Sequence, residues 1–433
     1  MLEIRDKYSG DLISKVREIS PVKAVDYIMS SGAGSIPEII EAMESALTKN
    51  SADFSRSITA ETGKPIKFSR FEVETCISVI RYAHSYCDSG GIYGNIPRLM
   101  LRKSIPLFYS AIFPWVENIL LDTVTGILSS LLTGSVPVVF PPETAPLTAM
   151  KFAEKTGEVA GTGNFPAVIT GLYSRAGLTK IISTSRIRRA YLFGPADRIS
   201  RIFRLIGIPV EIVIHDNGSA AAMVSKDADL NAAFDYILNG AYFNWTANPD
   251  IRLLIVHPEI SDYFVNQIKE RISNAVPMNP SSEEAVLAPV SDLEDMDAFS
   301  RSVKQFQLSG GRKLFGCDIL REKFVLPALF ADDHYSFPGV PPFGIKALTV
   351  MESPTVSGSL EIINSLQDIS AAAFFTSDLY LLPLLTEKTE KRDVFINFYT
   401  NSRMKVSDFG YPSSLYGRIA GKLCGKAVYT NYD

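Results

Sequence analysis

Between residues 107 and 215, short apolar runs alternate with stretches long enough to form one helix each. The runs fall at 107–113, 135–140, 167–170, 189–193 and 210–215, and the intervening helical stretches include Ile119 to Leu132, Pro146 to Thr156 and Ala196 to Ile206. Runs that are apolar on both faces and spaced by helices describe a parallel sheet covered on both sides. Five such strands predict a doubly wound, nucleotide-binding-like domain. Ahead of it, Ile39, Ile40, Met43 and Leu47 recur at helical spacing behind Pro37, and a second stripe runs through Val73, Cys76, Ile77, Ile80, Ala83, His84 and Cys87. That stripe makes Cys76 and Cys87 core residues before anything else, since a free cysteine packs as a small hydrophobe.

A single core stops growing at about 250–300 residues, so a chain of 433 residues implies at least two domains. A second α/β unit is expected after residue 216. Its helix starts at Asp227-Ala-Asp-Leu-Asn-Ala-Ala233, followed by a strand at Arg252 to His257 and a helix at Ile260 to Ile272. A loop is expected over 277–298, with further strands at 324–330, 345–351, 371–375 and 393–398.

Forty-three basic against forty-seven acidic residues leave a formal net charge of −4, which argues against a surface built to neutralise phosphates. No nucleic-acid partner is therefore expected. No apolar run approaches the length of a membrane span, and the first residues lack the apolar stretch of a secretory signal, so a cytoplasmic protein is expected. Cys76, Cys87, Cys317 and Cys424 show no paired spacing with one another or with the four histidines, so no metal site is expected.

Generic catalytic motifs are missing. Gly161-Thr-Gly163-Asn-Phe-Pro166 carries proline where a dinucleotide loop needs its third glycine, and it precedes a strand instead of a helix. No Walker loop, His-Glu-x-x-His or Gly-x-Ser-x-Gly occurs. His215, Asp216 and Ser219 are triad residue types but stand too close in sequence to relay a proton easily.

Ordered strings along the whole chain are more informative. Glu61-Thr-Gly-Lys-Pro65, Ile112-Phe-Pro-Trp115, Gly134-Ser-Val-Pro-Val-Val-Phe-Pro-Pro-Glu143-Thr-Ala-Pro-Leu-Thr-Ala149 and Leu192-Phe-Gly194 come first. Lys226-Asp-Ala-Asp-Leu230, Gly240-Ala-Tyr-Phe-Asn244, Pro342-Phe-Gly344, Phe374-Phe-Thr-Ser-Asp-Leu379 and Val394-Phe-Ile-Asn397 follow. In this order they resemble the aldehyde dehydrogenase superfamily. The resemblance implies a nucleotide-binding-like domain at 1–97 and 106–216 and a catalytic-like α/β domain at 217–415. It also implies a small oligomerisation sheet from 98–105 and 416–433, and hence a homodimer or homotetramer. The tail alternates Ala427, Tyr429 and Asn431 against Val428, Thr430 and Tyr432, as an added strand would.

The same resemblance exposes departures. The family's reaction uses a cysteine thiolate as nucleophile and a glutamate as general base. The glutamate falls on His215, whose unperturbed pKa of about 6.5 suits a base. The nucleophile should follow Asn244, where this chain reads Trp245-Thr246-Ala-Asn-Pro249, and no cysteine occurs between Cys87 and Cys317. Pro249 or a gap stands in its place, and Thr246 and Ser219 are poor nucleophiles without an activating base. The asparagine that holds the oxyanion is replaced by Val116, with Asn118 two residues on. At cofactor positions Phe140 replaces the lysine that the resemblance assigns to the adenosine ribose and Pro341 the glutamate assigned to the nicotinamide ribose, while the second glycine after Gly194 is absent and Pro195 follows directly. Pro114, Trp115, Glu143, Gly194 and Phe343 remain as cofactor-binding candidates for NAD or NADP.

Three functions are consistent with this pattern. The first is a degenerate homologue, not catalytic toward aldehydes, acting in assembly, binding or regulation, with a small-molecule ligand held between its domains. The second is an active NAD(P)-dependent aldehyde or acyl oxidoreductase with relocated groups and His215 as base. The third is a hydrolase built on Ser219 or Thr246.

Overall fold

The computed structural model describes residues 1–31, 35–88, 109–163, 165–216, 219–243, 250–290, 293–321, 323–332, 341, 344–366, 369–391, 393–397, 417–419, 422–424 and 428–430. The chain divides into two compact units. The first comprises 1–62, 67–216 and 404–433, and the second 63–66 and 217–403.

The first unit opens with an antiparallel hairpin, β1 (Leu2–Arg5) and β2 (Leu12–Val16), and four helices: α1 (Pro21–Ser30), α2 (Ile36–Lys49), α3 (Ser51–Thr62) and α4 (Ile66–Asp88). The alternating region follows as β3 (Tyr109–Phe113), α5 (Ile119–Leu132), β4 (Val136–Val139), α6 (Leu147–Ala160), β5 (Ala167–Val168), α7 (Arg175–Thr184), β6 (Ile187–Gly194), α8 (Ala196–Ile206) and β7 (Glu211–Asp216). All five expected strands are present. They pair in parallel in the spatial order β7-β6-β3-β4-β5. The chain builds outward from β3 to β4 and β5, then returns to β6 on the other side of β3. The strand order therefore reverses between β3 and β6, which places the ligand crevice of such a sheet at the carboxyl ends of those two strands.

One face of this sheet packs on α5 and α6, backed by α2, α3 and α4, through Met43, Phe54, Val73, Cys76, Val124 and Phe152. Residues Ile119–Leu131 of α5 are buried almost all round, with Asp122 only half-buried, as befits a helix apolar on every side. The other face packs on α1, α7 and α8 through Ile28, Ile181, Ile199 and Ile206.

In the second unit the order is β8 (Ser219–Val224), α9 (Leu230–Leu238), β9 (Asp250–Val256), α10 (Pro258–Ser273), α11 (Leu293–Leu308), β10 (Arg312–Phe315), β11 (Ile319–Leu320), β12 (Phe324–Val325), β13 (Ala328–Ala331), β14 (Ala347–Glu352), α12 (Val356–Ser365), β15 (Ile369–Phe375), α13 (Leu382–Lys388) and β16 (Asp393–Ile396). Its main sheet runs β10-β13-β14-β9-β8-β15-β16, parallel except for β10. The core of β8, Ala220-Ala-Ala222, lets helices approach both faces closely.

Two local expectations are corrected. Helix α9 begins at Leu230, three residues later than the acidic run suggested, because Asp229 is its N-cap and accepts from the Ala232 N–H at 3.1 Å. The expected loop over 277–298 ends early, since α11 starts at Leu293.

The tail supplies β17 (Gly417–Ile419), β18 (Lys422–Cys424) and β19 (Val428–Thr430). β17 and β18 form a hairpin, and β19 runs antiparallel to β7 at the edge of this chain's own sheet. Segment 98–105, placed with the tail in an oligomerisation sheet, lies outside the described residues.

Candidate functional site

The crevice of the first unit is built where β3 and β6 end. Gly194 closes β6 at φ +116°, and a Cβ there would lie 3.1 Å from Cγ of Trp115, so only glycine lets the indole pack against the strand end. The Trp115 N–H donates to Oδ2 of Asp122 at 2.9 Å, fixing the turn between β3 and α5. Trp115 therefore packs against Gly194, with Pro114 preceding it in the chain.

A residue overlooked in the sequence dominates the same spot. Arg198, in the first turn of α8, donates to the Phe113 carbonyl at 3.3 Å, to the Pro114 carbonyl at 2.7 Å and to the Phe193 carbonyl. Phe113 is the last residue of β3 and Pro114 the next, and Phe193 is the penultimate residue of β6, so the acceptors lie at the ends of the two strands flanking the reversal. The guanidinium also sits 4.9 Å from the Trp115 ring centroid. Burial pulls its pKa down to about 10, opposed by the charges of Asp122 and Glu143. A cation in a first helical turn runs against the helix dipole. That local conflict was the one available sequence signal.

Beside it, Phe140 directly follows β4 and is buried. Its ring stacks on Phe113 with centroids 5.0 Å apart, and Tyr173 meets it edge-on at 6.5 Å. The Tyr173 hydroxyl reaches the carbonyl of Ile19 at 2.6 Å and that of Thr170 at 3.1 Å, and burial pushes its pKa up to about 12. Pro195 is the N-cap of α8 and makes no capping hydrogen bond. With no N–H of its own, it removes one donor from the helix end that would face an anion.

His215, on β7, is half-buried, and its ring lies flat on Phe193 with centroids 4.4 Å apart and planes 9° from parallel. Asn118 is buried at the end of a short 3-10 turn, Val116–Asn118, leading into α5. Glu143 is exposed. Thr246, Pro249 and Phe343 lie outside the described residues.

In the second unit the carboxylate of Asp250 is held by Lys346 Nζ at 2.8 Å and approached by Arg252 Nη2 at 3.8 Å. Asp250 and Lys346 are both buried, so this charge is committed to an ion pair. Of the thiols described, Cys76 is in the core of the first unit and Cys317 is half-buried at φ +66°. Burial raises the Cys317 pKa to about 11, so it is a thiol and not a nucleophilic thiolate at neutral pH. Among the described residues, no group of three or more His, Cys, Asp and Glu side chains could hold a metal ion. No described helix is long and apolar enough to cross a membrane.

Some of the strings that carry the family resemblance hold the fold together. Glu61 is fully buried and accepts from the N–H groups of Leu147 and Thr148 at 2.8 Å each, capping α6. Asp227 accepts from the Thr376 hydroxyl and the N–H groups of Ser377 and Asp378 at 2.8–2.9 Å, and Asn397 bonds the Thr376 backbone at 3.1 and 2.9 Å.

The profile of the aldehyde dehydrogenase family matches residues 28–432. A lactaldehyde dehydrogenase of Methanococcus aeolicus is 22% identical over 335 residues, covering 73% of this chain and 71% of that protein. A putative aldehyde dehydrogenase-like protein of Schizosaccharomyces pombe is 25% identical over 407 residues, covering 89% and 79%. Among solved structures, the glyceraldehyde-3-phosphate dehydrogenase of Methanocaldococcus jannaschii, complexed with NADP, superposes with a TM-score of 0.80 at 19% identity, over 93% of this chain and 91% of that one. An aldehyde dehydrogenase of Brucella melitensis gives 0.78 at 18%, over 93% and 87%. At such identities the solved structures establish the fold.

Proposed function

Because the chain belongs to the aldehyde dehydrogenase family, we propose that it keeps the family's scaffold without its oxidation chemistry, serving as an assembly, binding or regulatory homologue. One observation carries this reading: no cysteine occurs anywhere between Cys87 and Cys317, so the segment after Asn244 has no thiol to attack an aldehyde. The remaining departures point the same way. A valine stands where the oxyanion donor is needed, and His215 lies flat on Phe193 as part of a packed strand end. The fit to NAD(P) is poor as well. Phe140 carries no ribose donor, Pro195 supplies no N–H, and the strand-end carbonyls face Arg198.

Assembly as a homodimer or homotetramer in the cytoplasm belongs to the same proposal. Support comes from the family resemblance. Light scattering at micromolar concentration tests the assembly, and a monomer would contradict it. The catalytic claim is tested by following NADH or NADPH formation with a panel of aliphatic, aromatic and hydroxylated aldehydes. No turnover above the protein-free rate is expected. Sustained turnover that disappears in His215→Ala would instead establish the alternative, an active oxidoreductase with His215 as base.

A further inference from the structure

We propose that the dinucleotide crevice of the first unit is closed from within, by Arg198 at the strand reversal and by the Phe140–Tyr173 ring pair beside it. The inference rests on the reading that this chain does not use NAD(P), and deepens it by naming what takes the nucleotide's place.

In an open crevice, the last carbonyls of β3 and β6 face solvent or ligand, and the first turn of the following helix offers its N–H groups to a pyrophosphate. Here a single guanidinium donates to the carbonyls of Phe113, Pro114 and Phe193, spanning both strands. Its planar fork suits three acceptors held by rigid strand ends, which a lysine would match less well. The Trp115 ring lies against it at 4.9 Å, and Trp115 is in turn seated on Gly194. Arg198 is therefore bound on several sides by the walls of the crevice.

On the β4 side, closure is apolar. Phe113 and Phe140 stack, Tyr173 abuts Phe140, and the Tyr173 hydroxyl is anchored to the Ile19 carbonyl in the segment before α1. These rings join the same core as Val138, Ile169 and Leu192, so they form part of the unit's packing and are not free to swing aside. A nucleotide entering here would have to displace a stacked pair and break the arginine's hydrogen bonds before making any of its own.

Two experiments test this. In the first, the intact protein is treated with phenylglyoxal and the modified arginines are mapped by mass spectrometry. Arg201, on the same helix, has 69% of its side chain exposed and is an internal control. Arg198 is expected to react about tenfold more slowly despite its lowered pKa, because the guanidinium must give up its hydrogen bonds to three carbonyls before it can meet the reagent. Equal rates at the two positions would overturn the closure.

In the second, wild type and the triple variant Phe140→Lys, Pro195→Ser, Arg198→Ala are titrated with NAD and NADP by calorimetry. Trp115 emission is followed in parallel in a Trp245→Phe background. The wild type is expected to show no saturable binding, and the variant to bind with quenching of Trp115. Saturable one-to-one binding by the wild type would overturn the closure. So would failure of a variant whose circular dichroism and melting match the wild type. The two readings separate cleanly. Nucleotide binding by the wild type without aldehyde turnover sinks only the closure, whereas turnover sinks the loss of chemistry too.

Discussion

The carboxyl ends of the parallel strands have opposite fates in the two units. In the second unit, the ends of β8, β15 and β16 are tied together by Asp227, Thr376 and Asn397, all inside strings shared with dehydrogenases. In the first, the ends of β3, β4 and β6 are covered by Phe140, Tyr173 and Arg198, at departures from those strings or outside them. The difference separates two kinds of resemblance. Residues that satisfy buried backbone groups or fix loops are kept, because losing them costs stability whatever the protein does. Several positions that the resemblance assigns to the cofactor or the reaction differ, Phe140, Pro195 and His215 among them, whereas Pro114, Trp115 and Gly194 match it. Glu61 and Gly194 show that the division is between tasks and not between units: both lie in the first unit, both are kept, and both serve the fold.

The largest expected effect concerns Glu61. Burial raises its pKa from the ordinary 4.5 to about 7, against hydrogen bonds from Thr148 and Leu147 that lower it. A carboxyl whose folded pKa exceeds its unfolded value keeps its proton longer in the native state. Its contribution is therefore most favourable below about 4.5, declines through the interval from 4.5 to 7, and stays reduced above it. On the order of 3 kcal/mol should be lost between pH 4.5 and pH 8. Glu61→Gln should lack this pH dependence, as read from urea midpoints at the two pH values. An identical dependence in the variant would mean that the carboxyl is not held as described.

Gly194→Ala is next. A side chain at φ +116° and 3.1 Å from Trp115 should cost about 2 kcal/mol and alter the near-ultraviolet signal of the indole. Melting and circular dichroism unchanged from wild type would show that the packing against Trp115 is loose. Asp227→Ala should have the smallest effect, about 1 kcal/mol, because the carboxylate is exposed and its hydrogen bonds compete with water. The expected signature is local: faster hydrogen exchange at the amides of Ser377 and Asp378, with little change in the first unit.

Most of the fold was legible in the sequence because it rests on periodicity. Helices Ile119–Leu132 and Ala196–Ile206 end where the apolar pattern ends, and each expected strand of the first sheet is present. The misplaced boundaries, at Leu230 and Leu293, are places where acidic residues serve equally as caps, first turns or loops. The site was less legible. That Phe140 replaces a donor could be read from the string around it, but that it stacks on Phe113 and meets Tyr173 depends on residues distant in sequence. Arg198 belonged to no motif, and only the geometry of two strand ends reveals its role.

The proposed loss of chemistry rests on the absence of a thiol in the segment 244–249. It is tested most directly by incubating the protein with p-nitrophenyl acetate, then recording its intact mass and mapping any adduct by peptide fragmentation. The account predicts no acetyl group on that segment. A single acetyl on Thr246, formed in proportion to the protein and discharged by water, would contradict it.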